Sequence, residues 1–297
     1  MEKDVETGTP GAPAAGLKPI DVLRRLMRTS PFQPATNFWR VIELDMVRRH
    51  GLPRGLGLDL GCGDGKLTAI LDEMCGDAAD RTWVGVDIDP AETALARSMG
   101  LYARVHTGSA DRIDEPDESF DFTFSNSVLE HVEPIRAVLC EASRVLKRGG
   151  RFIATVPGPG FHDCLTGGGA SPAGRAAYLH ETDERCAHLR YWSQADWRGE
   201  LANAGLELVT ARPYLTEGQV RRWETLATWT GGLAYRVFGK TRRPIEVQRL
   251  FRMRREEPGL AGALGDRLAP LLGLGCSIAG DDAPGKAGCL LVEAVKP

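Results

Sequence analysis

The stretch 57–65, which reads Gly-Leu-Asp-Leu-Gly-Cys-Gly-Asp-Gly, has the residue types needed to bind a small cationic group. The glycines Gly61, Gly63 and Gly65 allow a tight turn and a close approach of the backbone to a ligand. Asp59 stands before them, and a carboxylate there suits an ammonium group better than a pyrophosphate. The glycines are also spaced one residue more tightly than in the dinucleotide-binding pattern. A turn without a ligand is the alternative interpretation.

A second acidic position is Asp87, in the sequence Val-Asp-Ile-Asp that ends an apolar stretch. One carboxylate can accept two hydrogen bonds at once. Asp89 precedes a proline, and this order is more typical of a helix N-terminus than of a ligand contact.

Strands and helices alternate around these motifs, which predicts βαβ units and a mostly parallel sheet covered on both faces. The order is lost after residue 160 and returns near residue 193. The predicted strands are 55–60, 82–87, 103–107, 120–124, 151–156, 206–214 and 289–295. The predicted helices are 20–27, 36–50, 67–75, 91–99, 127–132, 134–146 and 193–204.

With these motifs the chain resembles the class I S-adenosylmethionine-dependent methyltransferases of the broad bacterial type 11 group. The resemblance runs from about residue 39 to residue 297 and is strongest over 57–157. Val-Leu-Glu-His-Val at 128–132 and Arg-Val-Leu-Lys-Arg-Gly-Gly-Arg-Phe at 144–152 also match. The resemblance implies a Rossmann-like, doubly wound α/β sheet of seven strands with the last strand antiparallel. N-terminal helices and a helical insertion or lid would accompany the sheet.

The resemblance also implies S-adenosylmethionine as the cofactor and gives individual residues a role in binding it. Asp59 and the backbone of Gly61 and Gly63 would hold the methionine end. Cys62 lies in the same loop as a small side chain whose backbone would face the ligand. Asp87 would accept hydrogen bonds from both ribose hydroxyls.

The adenine and the sulfonium would be contacted by residues after three strands. Ile88 would pack on the adenine, and Ser125 and Asn126 would line the floor near the sulfonium. The adenine loop contains Ser109, Ala110 and Asp111. Many relatives have Asp where Ser109 stands, so either Ser109 or Asp111 would accept from the adenine amino group.

Histidine and aromatic residues are concentrated between residues 161 and 197, a composition typical of a lined pocket or lid. A general base is needed only if the acceptor atom carries a proton at working pH. We predict His188 or His162 as that base, with His180 and Tyr191 as the next candidates, and simple packing is the alternative for each. His131 is interpreted as a packed, hydrogen-bonded residue. The histidine spacing fits no standard metal-ligand pattern.

The formal net charge of −3 hides an uneven distribution. Residues 219–255 include ten basic and two acidic residues, so this segment carries +8 and the rest of the chain −11. We consider three interpretations: a solvated basic helix pair, a peripheral contact with an anionic membrane, or binding of a phosphorylated substrate or RNA. The apolar stretch 260–274 is interrupted by glycine and proline, which favours a lid or partner surface over a membrane span.

The motifs divide the chain into five parts. These are a disordered tail (1–17), N-terminal helices over the active site (18–54), the cofactor-binding core (55–160), a substrate lid (161–200) and C-terminal strands (201–297) with a basic helical insertion at 216–287. Seven cysteines without a C-x-x-C pair argue against disulfides and structural zinc. No signal peptide and no spanning segment is seen, so we expect a cytoplasmic protein.

The predicted activity is methyl transfer to oxygen, or else nitrogen, of a small molecule such as a sugar or natural-product intermediate. The segments 31–45 and 188–197 resemble a branch associated with surface glycans and secondary metabolites. One alternative is an RNA or protein methyltransferase, against which stands Ser-Asn-Ser-Val at 125–128 instead of an Asn-Pro-Pro-Tyr-type motif. A second alternative is a member of the fold that binds the cofactor without transferring its methyl group.

Overall fold

A seven-stranded sheet organises the protein, and the computed structural model describes residues 16–76, 78–229 and 259–297. The strands are β1 (Gly55–Leu60), β2 (Arg81–Asp87), β3 (Tyr102–Thr107), β4 (Phe120–Asn126), β5 (Leu146–Pro157), β6 (Glu207–Thr216) and β7 (Ala287–Val295). The helices are α1 (Pro19–Thr29), α2 (Pro34–His50), α3 (Lys66–Cys75), α4 (Pro90–Ser98), α5 (Ile135–Val145), α6 (Phe161–Cys164), α7 (Pro172–Cys186), α8 (Gln194–Asn203), α9 (Glu217–Trp229) and α10 (Leu260–Leu272).

The strand order is β3-β2-β1-β4-β5-β7-β6. Strands β1 to β5 pair in parallel, and β7 runs antiparallel to both of its neighbours. This confirms the predicted Rossmann-like α/β fold with an antiparallel last strand. The strand order reverses between β1 and β4, and in such sheets ligands bind outside the carboxyl ends of the strands at this reversal.

The helix predicted at 127–132 is wrong. The chain makes one turn of 3-10 helix there, Leu129–His131, after Ser127 takes a φ of +49°. Val132 is extended, and the residue before Pro134 is biased away from helical angles, so the turn cannot continue as an α-helix. A short loop with a single 3-10 turn therefore follows β4.

Hydrophobic layers cover both faces of the sheet. One layer contains α1, α2 and α9, and its largest buried side chains include Phe38, Ile42 and Leu44 of α2. The other contains α5 and α8, with Trp197 buried against the sheet. Burying each large apolar side chain stabilises the fold by roughly 1.5–3 kcal/mol, and α2 is buried on nearly all sides.

Several predicted segments fall partly outside the described residues. The described residues include only the last two residues of the tail 1–17, and the basic segment 219–255 only as far as Trp229. The apolar stretch 260–274 forms α10, which packs against α1. No helix among residues 16–76, 78–229 and 259–297 is long and apolar enough to cross a membrane.

Candidate active site

The glycine loop after β1 is tied to the end of β2. The amide groups of Gly61 and Cys62 both donate to the carbonyl oxygen of Val86, at 2.8 and 3.0 Å. Gly61 has a φ of +80°, and a Cβ there would lie 2.6 Å from the methyl groups of Val128. Only glycine fits this position, and the amides of the first two loop residues are already used. Gly61 can therefore offer a ligand only its carbonyl oxygen, which is a hydrogen-bond acceptor.

Asp59 is buried at the end of β1, 2% exposed. Its Oδ2 accepts hydrogen bonds from Thr68 Oγ1 at 2.5 Å and from the Tyr102 hydroxyl at 2.6 Å. Burial raises the pKa of Asp59 to about 6, although the two hydrogen bonds act in the opposite direction. A cation next to this carboxyl would favour its ionised form, so the site is suited to an ammonium group.

Asp87 ends β2 with both carboxylate oxygens held by the backbone. Oδ2 accepts from the Gly63 amide at 2.9 Å and Oδ1 from the Asp89 amide at 2.8 Å. Each oxygen keeps a further lone pair, so the carboxylate is positioned and still able to accept from a diol. Burial raises the pKa of Asp87. Asp89 caps α4 by accepting from the amides of Ala91 and Glu92, as the sequence predicted.

An apolar surface lies open beside this carboxylate. Ile88 is 73% exposed although it follows directly on a buried strand. The loop after β3 comes alongside, because the Gly108 amide donates to the Asp87 carbonyl oxygen at 2.9 Å. Three residues of that loop are half-buried: Ser109, Ala110 and Asp111. The predicted adenine-binding residues thus come from two adjacent loops, and their contact with the adenine stays a prediction.

Ser125 and Asn126, which are predicted to line the site near the sulfonium, differ in their hydrogen bonds. Ser125 is fully buried, and its hydroxyl donates to the Leu60 carbonyl oxygen, which joins the ends of β4 and β1. Asn126 accepts from Thr155 Oγ1 at 3.0 Å, while its Nδ2 atom is buried with no hydrogen-bond partner among the described residues. The Asn126 amide is therefore a donor that a ligand could use, whereas the Ser125 hydroxyl has a structural partner.

Three of the four candidate base residues form one hydrogen-bonded group. His188 Nδ1 lies 3.0 Å from the Tyr191 hydroxyl, which donates to Asp183 Oδ1 at 2.5 Å. His162 Nε2 lies 2.8 Å from the same Asp183 oxygen. The Tyr191 ring stacks on Phe161 with centroids 5.8 Å apart, which fixes the position of its hydroxyl. The predicted aromatic lining thus includes a rigid polar chain.

The fourth candidate base, His180, and two tryptophans of the same segment lie elsewhere. The His180 side chain is 76% exposed and pairs with Glu184, and it is not part of the hydrogen-bonded group. Trp197 is 1% exposed in the core, and Trp192 meets it edge-on at 4.9 Å. These two tryptophans belong to the packing of α8 on the sheet rather than to a pocket.

A second polar cluster surrounds Glu43, which α2 buries completely against the end of the sheet. Its carboxylate accepts from Arg40 Nη1 at 2.6 Å, from the Ser127 hydroxyl and from the Tyr214 hydroxyl at 3.2 Å. The cluster therefore joins α2, the loop after β4 and the end of β6. This brings the N-terminal helices to the carboxyl ends of the central strands.

The insertion is fastened to the loop after β4. Three hydrogen bonds do this: from the Leu189 amide to the Glu130 carbonyl oxygen at 2.9 Å, between His131 Nδ1 and the Ala187 carbonyl oxygen at 2.9 Å, and from Arg190 Nη1 to the Leu129 carbonyl oxygen at 2.5 Å. His131 is thus hydrogen-bonded, as predicted, but its side chain is 39% exposed rather than packed. Val128 of the same loop abuts Gly61, and the His131 and His188 rings lie 5.6 Å apart, so the loop after β4 contacts both the glycine loop and the histidine group.

Sequence and fold comparisons agree on one family. A family profile described as a methyltransferase domain matches residues 58–154. An uncharacterized methyltransferase of Schizosaccharomyces pombe is 33% identical over 213 residues, covering 65% of this chain and 76% of that protein. The chain belongs to the class I S-adenosylmethionine-dependent methyltransferases.

Other relatives of this methyltransferase match over shorter parts. A malonyl-[acyl-carrier protein] O-methyltransferase of Hahella chejuensis is 32% identical, covering 38% of this chain and 40% of that protein. Among solved structures, a possible histamine N-methyltransferase of Thermotoga maritima has a TM-score of 0.54 at 18% identity, covering 94% of this chain and all (100%) of that one. The latter similarity supports the fold.

The methyltransferase has a site that fits S-adenosylmethionine, which supplies a methyl group on a positively charged sulfur and so an activated electrophile. Asp59 and the Gly61 carbonyl offer acceptors to its ammonium group, and the positioned Asp87 offers acceptors to its ribose. The exposed Ile88 offers an apolar face, and Asn126 an unpartnered donor. These individual contacts stay predictions.

A cavity of about 390 Å³ lies between the loop 166–168, α7 and α9. Glu224 in its wall accepts from the Thr166 and Gly167 amides and from the Tyr178 hydroxyl. None of the predicted cofactor or base residues lines this cavity. We therefore assign neither the cofactor nor the acceptor to it.

Sequence reasoning missed four residues of the methyltransferase site. Tyr102 donates a hydrogen bond to Asp59, and Asp183 accepts one from Tyr191. Glu43 and Glu130 are buried near the end of β4. Glu43 had a detectable signal, because it interrupts the apolar residues of α2 on a face that must be buried. Within the described ranges, no three His, Cys, Asp or Glu side chains form a group that could hold a metal.

Glu130 gives a testable pH effect on stability. Burial raises its pKa to about 8, with the nearby Glu43 acting in the same direction. Between the ordinary carboxyl value and pH 8 the folded protein holds a proton that the unfolded chain has lost, so this residue makes the free energy of unfolding fall as pH rises. Glu130→Gln should remove this component, so the stability of the variant relative to the wild type should increase from pH 5 to pH 8.

Denaturant unfolding of both proteins at the two pH values measures this difference. The matched control is Glu133→Gln, three residues away on an exposed side chain, which should show the same relative stability at both pH values. A Glu130→Gln protein whose relative stability does not change with pH would contradict a protonated Glu130.

Proposed function

We propose that the enzyme transfers a methyl group to a hydroxyl oxygen, or else to a nitrogen, of a small molecule such as a sugar or natural-product intermediate, with His188 as the general base. The observation that carries this proposal is the chain from His188 through Tyr191 to Asp183. The loop after β4 contacts both this chain and the glycine loop that would hold the cofactor.

The hydrogen bonds decide which nitrogen of His188 carries the proton. The Tyr191 hydroxyl has one proton, and its shorter contact is to the Asp183 carboxylate. Towards His188 it can then only accept, so the imidazole carries its proton on Nδ1. The unprotonated Nε2 has no hydrogen-bond partner among the described residues and is the atom that can accept a proton from the acceptor.

The surroundings keep His188 neutral. Burial, together with His131 and His162, lowers the pKa of His188 to about 3. Arg40 acts in the same direction. The imidazole is therefore unprotonated throughout the neutral range. Through Tyr191, the Asp183 carboxylate would stabilise the imidazolium that forms when the acceptor is deprotonated.

The relatives support transfer to oxygen first. The Hahella chejuensis protein is by name an O-methyltransferase, and the chain covers less than half of it. The Thermotoga maritima protein is described as a possible N-methyltransferase. A protonated amine would also need a base, so the His188 chain is compatible with either atom.

A product assay tests this function. The protein is incubated with S-adenosylmethionine and a panel of sugars, phenols, hydroxy acids and amines, and S-adenosylhomocysteine release is measured. We expect release with hydroxylated small molecules. Release with RNA or protein substrates alone would favour the first alternative, and cofactor binding without release for any acceptor would favour a non-methylating protein.

The remaining expectations belong to the same proposal. The helices at 18–54 would roof the acceptor site, supported by the Glu43 cluster, and residues 161–200 would form its lid, supported by the bonds to the loop after β4. We propose a cytoplasmic enzyme without a nucleic-acid partner. A peripheral membrane contact through 219–255 stays a prediction.

A further inference from the structure

In helix α10 the large apolar residues are exposed and the small residues are buried. Its buried residues are Gly262, Gly265 and Ala269, which face α1. A Cβ on Gly265 would lie 2.6 Å from the Met27 carbonyl oxygen, so the two backbones are in close contact. The small residues form the inner face of α10, and the larger apolar residues must lie outside.

The outer residues form a row of leucines, here called the leucine face. They are Leu260 (90% exposed), Leu264 (57%), Leu268 (42%) and Leu271 (49%), and Leu274 (64%) follows just after the helix. Spacings of four, four and three residues put them on one side of a helix. Single exposed leucines are common, but a continuous exposed apolar row marks an interaction surface.

The leucine face cannot turn inward, because contacts on the other sides of α10 hold its orientation. Asp266 pairs with Arg28 of α1 at 3.0 Å. Arg222 of α9 donates to the carbonyl oxygens of Leu271 and Leu272 at 2.7 and 2.9 Å. The helix is therefore attached at its middle and at its C-terminal end to the body of the enzyme, with its leucines presented outward.

The sequence directly before α10 indicates what covers this face. Residues 236–259 contain eight Arg or Lys and three acidic residues, a net charge of +5. Leucines next to a dense positive charge are typical of elements that lie in the surface of an anionic membrane, where acyl chains take the apolar side chains and lipid headgroups the cations.

We propose that the leucine face of α10 inserts into the surface of an anionic membrane and makes this methyltransferase a peripheral membrane protein. The helix has 13 residues, too few to span a bilayer, so it would lie in the interface plane. Binding would then depend on the leucines for affinity and on the anionic lipids for attraction.

Vesicle flotation tests the proposal with the full chain and without any acceptor, so its result is independent of the proposed methyl transfer. The probes are vesicles of phosphatidylcholine containing phosphatidylglycerol and vesicles of phosphatidylcholine alone. We expect flotation with the anionic vesicles at low salt and loss of binding as salt rises. Leu264→Ser with Leu268→Ser should weaken the partition by about ten-fold or more, because two leucines leave the apolar layer.

The matched control is Leu95→Ser with Val209→Ser, which removes two exposed apolar side chains from α4 and β6. The control should float like the wild type, and circular dichroism should show both double variants folded. Equal flotation of the leucine-face variant and the wild type would overturn the proposal, as would absence of flotation at low salt. A concentration-dependent dimer that the leucine-face variant abolishes, without vesicle binding, would assign the face to a second copy instead.

Discussion

Replacing His188 by Gln should lower kcat by about 10²- to 10⁴-fold, the range expected for loss of a general base. Glutamine keeps a polar side chain of similar reach but cannot accept a proton at neutral pH. Binding of S-adenosylmethionine should remain within about two-fold, because the bonds that hold the glycine loop do not involve His188.

Steady-state kinetics with the acceptor identified in the product assay measures this effect. The matched control is His180→Gln, the same change on an exposed residue of the insertion, which should keep wild-type kcat. Tyr191→Phe should lie between the two, because it removes the link to Asp183 but leaves the imidazole. Wild-type kcat in His188→Gln would show that the acceptor loses its proton without this base.

Replacing Asp87 by Ala should weaken S-adenosylmethionine binding at least about ten-fold, because a hydrogen bond to a charged group contributes ~1.5–3 kcal/mol. The structure adds a second reason. The same carboxylate holds the Gly63 amide, so the variant would also lose the fixed position of the glycine loop. Both effects act on cofactor affinity.

Calorimetric titration with S-adenosylmethionine and with S-adenosylhomocysteine measures the affinity. Asp89→Asn is the control, since asparagine can still cap α4 and the residue is two positions away. It should bind both ligands like the wild type. An Asp87→Ala protein with unchanged affinity would remove Asp87 from the ribose site.

The sheet and the cofactor loop could be predicted from sequence because their signals are local. Each buried strand of the parallel sheet is a short apolar run, and the turn after β1 needs glycine where φ is positive, as at Gly61. The wrong prediction of a helix at 127–132 also has a local cause. An apolar stretch of that length is ambiguous, and the proline two residues beyond it outweighed the helical pattern.

For the part of the site expected to bind the methyl acceptor, the sequence indicated only that histidine and aromatic residues are concentrated there. Glu43 and Ser127 are 84 residues apart and Glu43 and Tyr214 are 171 apart, and nothing in the sequence pairs them. Asp183 stands in a charged helix where most carboxylates face solvent, so its contact with Tyr191 was invisible. Such partners are selected by the packing of whole elements, which a single sequence does not show.

The way the insertion is fastened bears on how acceptor preference can change during evolution. At positions 187 and 189 the bonds use main-chain atoms, the Ala187 carbonyl oxygen and the Leu189 amide, which are present whatever side chains stand there. Substitutions at Leu189 can therefore change the side chain next to the proposed base His188 while the attachment persists. New substrates could be acquired here in single mutational steps without rebuilding the scaffold.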